Sequence, residues 1–159
     1  MEEYKAWDAT KESNLLWICG QPGQDKTSLA IFLAETLANL EDTILLEYYC
    51  DYKYGEPSEN RNTASGVIRG LMYGMVCKFP KLAQRLVNPL DRKTNTLRDP
   101  SFAALWPFFK QMVQDAGKPV ICALDGLGQC DDNSIDSLVR PFEELVAKSF
   151  SRTPQLDSA

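Results

Sequence analysis

Histidine is missing from all 159 positions of this sequence. That absence excludes Ser-His-Asp and Cys-His nucleophilic catalysis and every His-bearing zinc site. Positive charge is scarce too: 17 Lys and Arg stand against 22 Asp and Glu, for a net charge of -5. A nucleic-acid partner usually leaves a basic stripe, so none is expected. No apolar run reaches the roughly eighteen residues of a membrane span, so no membrane partner is expected either. The start, Met1-Glu2-Glu3-Tyr4-Lys5, is acidic and polar, unlike a signal peptide. Cys19, Cys50, Cys77, Cys122 and Cys130 make an odd count with no C-x-x-C spacing. They read as reduced core thiols of an intracellular, cytoplasmic protein. No internal repeat is visible.

What is present suits one domain: 44% hydrophobic and 25% charged residues can build a normal core. Its organising stretch is LLWICGQPGQDKTSL, residues 15–29. A short apolar run ends in a glycine-bearing loop with Lys26-Thr27, and a helical pattern follows. Strand, glycine loop, Lys-Thr and helix form the arrangement that cradles nucleotide phosphates. Loop N–H groups and the first helical turn point donors at an anion. Gly20, Gly23, Gln24, Asp25, Lys26, Thr27 and Ser28 are the candidate binding residues. Lys26 would add a cation near the β/γ-phosphates, and the Thr27 hydroxyl would sit on Mg²⁺. The match to G-x-x-x-x-G-K-[ST] is incomplete, because Asp25 stands where the second glycine belongs. Asp tolerates left-handed backbone better than most residues, but its charge repels phosphate. The bland alternative is an ordinary strand–turn–helix whose glycines serve the turn.

Along the chain, residues 1–13 read as a polar lead-in with Trp7 packing on the domain edge. Residues 14–19 are expected as a strand buried on both faces. Residues 27–40 are expected as a helix with Leu29, Phe32, Leu33, Leu37 and Leu40 on one face. TILLEYYC, residues 43–50, predicts a second strand. Residues 51–63 read as a loop and 64–79 as a helix, with Val67, Ile68, Leu71, Met72, Met75 and Val76 on one side. Gly66, Gly70 and Gly74, four apart, would let that helix pack closely. Pro80 restarts a shorter helix to Val87, and residues 88–100 read as a polar loop. Ser101 is expected to cap a helix kinked at Pro107. Residues 120–125, VICALD, predict a third buried strand ending in Asp125, an acid suited to hold Mg²⁺ through water. Asn133 or Ser134 would cap a last helix to Ala147, kinked at Pro141, before a disordered tail at 149–159. The expected fold is α/β, a three-layer P-loop NTPase-like parallel sheet of about three strands with flanking helices, over 14–148.

The span from Trp7 to Phe150 resembles the NACHT-type NTPase domain of the STAND class, nearest to nephrocystin-like modules of fungal signalling proteins. Glu12-Ser13, LLWICGQPG, ILLEYYCD, ENRNTASGVIRGLMYGM, Phe79-Pro80-Lys81-Leu82 and the run from Ala123 to Asp131 carry the resemblance. It implies an ATP- or GTP-binding switch with Mg²⁺ that assembles with other NACHT-domain proteins. The family's D-x-L-D-E-C pattern loses its acidic pair here to Gly128 and Gln129. Gln129 can orient a water but is no general base, so hydrolysis is expected to be weak or absent. The resemblance also implies one more strand, lying between the acid strand and the loop strand, and no apolar run after the last helix supplies it. The module therefore reads as truncated. It is either a degenerate nucleotide-binding module, or a non-enzymatic interaction fragment or gene remnant that keeps only the α/β shell.

Overall fold

A computed structural model describes residues 14–50, 62–83 and 101–150. The expectations for Trp7, most of the 51–63 loop, residues 84–100 and the tail from 151 lie outside these. The described elements run α1 (Lys26–Ala38), β1 (Ile44–Tyr49), α2 (Ala64–Lys78), α3 (Phe102–Asp115), β2 (Val120–Asp125) and α4 (Asp132–Phe150). Short 3-10 turns occupy Pro80–Leu82 and Leu127–Gln129.

β1 and β2 pair in parallel, Ile44 opposite Val120 through Tyr49 opposite Asp125. Period-2 alternation then assigns each side chain to a face. Ile44 and Leu46, with Cys122 and Leu124, join the larger core formed with α2, α3 and α4. Leu45, Ile121 and Ala123 turn the other way and meet Ala34 and Leu37 of α1. Helix, sheet and helices therefore stack in three layers, an α/β architecture.

The large core is dense. Val67, Ile68, Leu71 and Met75 of α2 are fully buried, and each such side chain contributes on the order of 1.5–3 kcal/mol through the hydrophobic effect. The expected glycine stripe has a clear use. A Cβ on Gly70 would enter the Tyr48 ring and one on Gly74 would press on Leu46, so the missing side chains let α2 lie close on β1. Thr63 caps α2, its hydroxyl accepting from the Gly66 N–H at 3.1 Å. At the other end of the core Trp106 of α3 stacks on Phe102 at 5.5 Å and meets the Phe142 edge at 4.9 Å.

Several expectations are corrected. Residues 14–19 form no strand; among the described residues the sheet has two. Leu15, Trp17 and Ile18 are about half exposed instead of buried. A strand exists only by sharing hydrogen bonds with a neighbour. Among the described residues β2 pairs only with β1, and residues 14–19 share no ladder with it. What remains there is an apolar crevice of about 50 Å³ lined by Leu15, Trp17, Leu124, Leu138 and Phe142. The same shortage explains α1. Only Ala34 and Leu37 are buried, while Leu29, Phe32 and Leu40 of the expected inner face are exposed, because two strands give the helix too little sheet to cover. Cys19 and Cys77 are exposed and not core thiols.

The end signals also moved. Ser101 holds the N-cap position of α3 without a side-chain cap bond. The last helix begins at Asp132 and runs to Phe150, past the expected end at Ala147. Its cap is Asp131 rather than Asn133 or Ser134: the Asp131 carboxylate accepts from the Ser134 N–H at 2.8 Å and from its hydroxyl at 2.7 Å. No helix among the described residues is long and apolar enough to cross a membrane.

Candidate functional site

The loop before α1 is bent by two left-handed residues. Gly23 sits at φ 83° and Asp25 at φ 46°, ψ 34°. Position 25 therefore needs the left-handed conformation that glycine adopts freely, and Asp25 adopts it at a cost of about 1–2 kcal/mol. Asp25 is the N-cap residue of α1, yet its side chain makes no cap bond there. The carboxylate is exposed at the mouth of the loop.

Three side chains organise the loop. The Lys26 ammonium donates to the Gly20 carbonyl at 2.9 Å and to the Gln21 carbonyl at 2.7 Å. Two of its three donors are thus engaged by the loop itself. The Gln24 carboxamide oxygen accepts from the Gln21 N–H at 2.7 Å. A Cβ on Gly20 would collide with that oxygen, so Gly20 makes room for the Gln24 side chain. Sequence reasoning missed Gln21, whose backbone is central here; backbone roles leave no side-chain signature.

The remaining contact spans the chain. The Thr27 hydroxyl donates to the Asp125 carboxylate at 2.7 Å, across 98 residues. α1 brings Thr27 in its first turn, and β2 brings Asp125 at its C-terminal end. The Cys50 N–H donates to the Asp125 carbonyl at 2.9 Å and so extends the β1–β2 pairing to the acid. Gly126 then turns the chain at φ 73°, and a Cβ there would run into the Cys50 carbonyl oxygen. Gly126 was also missed, although a glycine directly after a strand-ending acid was the available signal. Gly126→Ala should destabilise the protein by about 2 kcal/mol, through left-handed strain and the backbone clash; urea unfolding of both forms measures it.

Charge and burial complete the picture. Tyr49, opposite Asp125, donates to the Glu47 carboxylate at 3.0 Å. Its partly buried setting, that hydrogen bond and the nearby carboxylates push its ionisation up to about 12. Burial drives the Cys50 thiol well above the usual range, with Cys130 beside it adding to the effect. Ser28 is exposed in the first turn of α1, and Gln129 is exposed in the 3-10 turn after Asp125. Hydrogen bonds thus join Lys26 to Gly20 and Gln21, Gln24 to Gln21, and, separately, Thr27 to Asp125.

A divalent cation fits part of this arrangement. The exposed Thr27 hydroxyl and the half-buried Asp125 carboxylate are adjacent oxygen donors. Among the described residues no group of three or more His, Cys, Asp or Glu could hold a metal. A small donor set of this kind suits Mg²⁺, which keeps most of its waters and uses one or two protein ligands with substrate phosphates.

Comparison with known proteins gives two matches. The family profile described as "Nephrocystin 3, N-terminal" matches residues 1–156. The chain is also 27% identical over 156 residues to the vegetative incompatibility protein HET-E-1 of Podospora anserina. That match covers 96% of this chain but 11% of the relative, so the chain spans about a tenth of the relative's length. No solved structure matches the chain significantly.

Proposed function

The chain belongs to the nephrocystin 3 N-terminal family, and on that premise we propose that it is a nucleoside-triphosphate-binding module of a NACHT-type signalling protein, one that holds ATP or GTP weakly and hydrolyses it little or not at all. The observation that carries this reading is the 2.7 Å bond between Thr27 and Asp125. Two motifs a hundred residues apart in sequence meet at one point, as a phosphate loop and its magnesium acid must. An ordinary strand–turn–helix has no need of that meeting.

In this reading, phosphate oxygens take the loop N–H groups and the first-turn donors of α1. Lys26 would turn its ammonium from the Gly20 and Gln21 carbonyls toward the anion. Gln24 would leave the Gln21 N–H. Thr27 and Asp125 would hold Mg²⁺, Asp125 through water, and the ion when bound would neutralise charge on the β/γ-oxygens. Each rearrangement exchanges an existing bond for a new one, which lowers the net gain. Asp25 adds repulsion. Gly128 and Gln129 leave the attacking water without a carboxylate base. The process served would be the one named for the fungal relative, vegetative incompatibility.

A second reading has its own support. Leu15, Trp17, Ile18, Leu29, Ile31 and Phe32 are all exposed, and such apolar surface marks interaction sites. In that case the chain is a non-enzymatic fragment that contacts other NACHT-domain proteins and needs no nucleotide. Thermal unfolding with millimolar Mg-ATP or Mg-GTP separates the two. A binding module should gain a degree or more in Tm for about 1 kcal/mol of linkage, and Lys26→Ala should abolish the gain. An unchanged Tm in both proteins supports the interaction fragment instead.

A further inference from the structure

Cys50 and Cys130 lie 80 residues apart in sequence, yet their sulfurs are 3.4 Å apart in the interior. Both residues are buried, at 4% and 9% exposure. From this geometry we infer that the two thiols form a redox modification site, which a hydroperoxide converts to a disulfide that staples the end of β1 to the segment following Asp125.

The backbone around the pair is already fixed. Cys50 donates its N–H to the Asp125 carbonyl at 2.9 Å, and Cys130 donates its own to the Leu127 carbonyl at 3.0 Å. Gly126, without a side chain, lets the Cys50 carbonyl approach closely. A disulfide needs about 2.05 Å between sulfurs, so the pair must close by about 1.3 Å. Rotation of two side chains can supply that movement. A metal is the rival use of paired thiols, but among the described residues no third His, Cys, Asp or Glu completes a ligand group.

The chemistry balances with hydrogen peroxide as oxidant. The Cys130 sulfur, the more exposed of the two, attacks the peroxide. An S–O bond forms, the O–O bond breaks, the sulfur is oxidised to a sulfenic acid and one water leaves. The Cys50 sulfur then attacks the Cys130 sulfur. An S–S bond forms, the S–O bond breaks, and the displaced hydroxide leaves with the Cys50 thiol proton as a second water. Two thiols and one peroxide give one disulfide and two waters. Burial makes the reaction slow. The product ties Gln129 and its turn to the sheet beside Thr27 and Asp125.

The test uses the full chain and peptide mapping. After hydrogen peroxide treatment, free thiols are alkylated in denaturant and the protein is digested without reduction. The expected result is a cross-linked peptide pair bearing Cys50 and Cys130, two hydrogens lighter than the separate peptides. The pair should be present although Cys19 and Cys77 are the more exposed thiols. The oxidised protein should also melt about 5 °C higher or more, because the bond closes a long loop in the unfolded chain, and reduction should reverse the shift. Cys50→Ser and Cys130→Ser should each lose both effects. Recovery of Cys50 and Cys130 as alkylated thiols, or bonded to Cys19 or Cys77 instead, would overturn the inference. Because the wild-type map decides this alone, a poorly folding variant does not weaken it.

Discussion

Asp25→Gly is expected to tighten nucleotide binding by roughly ten- to a hundredfold. Residue 25 sits at φ 46° at the start of α1, where in the proposed reading a phosphate would meet the loop. One negative charge about 5 Å from a phosphate charge costs roughly 3 kcal/mol at an effective dielectric near 20. Solvent screening on this exposed loop reduces that figure, hence the range. Glycine removes the charge and adopts the left-handed conformation without strain. The loop already holds that conformation without nucleotide, so relief of strain raises folding stability while loss of the charge raises affinity. Asp25→Asn separates them, because it deletes the charge while keeping a side chain that tolerates the same φ. It should recover most of the gain if repulsion dominates. Fluorescence titration of the three forms under one set of salt conditions measures the affinities.

Phe109→Ala should cost about 3–5 kcal/mol of folding stability, a large share of what a domain of this size has. Phe109 is 1% exposed. Its ring lies 5.7 Å from Trp106 and 6.1 Å from Phe142. It therefore joins α3 to α4 inside the larger core, and truncation leaves a cavity that two fixed helices cannot close. Urea unfolding should show a lower midpoint with little change in slope. Phe109→Leu, which keeps most of the volume, should lose much less.

The parts legible in the sequence were those that local pattern alone determines. TILLEYYC and VICALD are short, apolar and rich in strand formers, and both became strands, the first over Ile44–Tyr49; VICALD, expected to be buried, is half-buried throughout. The apolar spacing of α2 pointed to Val67, Ile68, Leu71, Met72, Met75 and Val76; the first five are buried and Val76 is half-buried. LLWIC carries an equally strong strand pattern and forms none, because a strand depends on a partner that its own residues do not specify. α1 misled for the same reason: its apolar residues exceed the sheet available to cover them. The meeting of Thr27 with Asp125 was legible because both lie in motifs. The loop's internal bonds, Gln24 to the Gln21 N–H and Lys26 to two carbonyls, were not, since they depend on φ values that no pattern states. The Cys50–Cys130 contact was hidden as well, because nothing in a spacing of 80 residues signals proximity.

The central claim is that residues 20–27 and Asp125 form a phosphate site weakened by Asp25 and deprived of its hydrolytic acids. The most direct measurement is a titration of the full chain, Asp25→Gly and Lys26→Ala with a fluorescent ATP analogue and Mg²⁺, with phosphate release followed in the same samples. The expected result is saturation of the native chain only well above the micromolar range, a clear gain for Asp25→Gly, loss for Lys26→Ala, and no measurable phosphate release. Saturation of the native chain at low micromolar concentration, with turnover that Lys26→Ala removes, would contradict it.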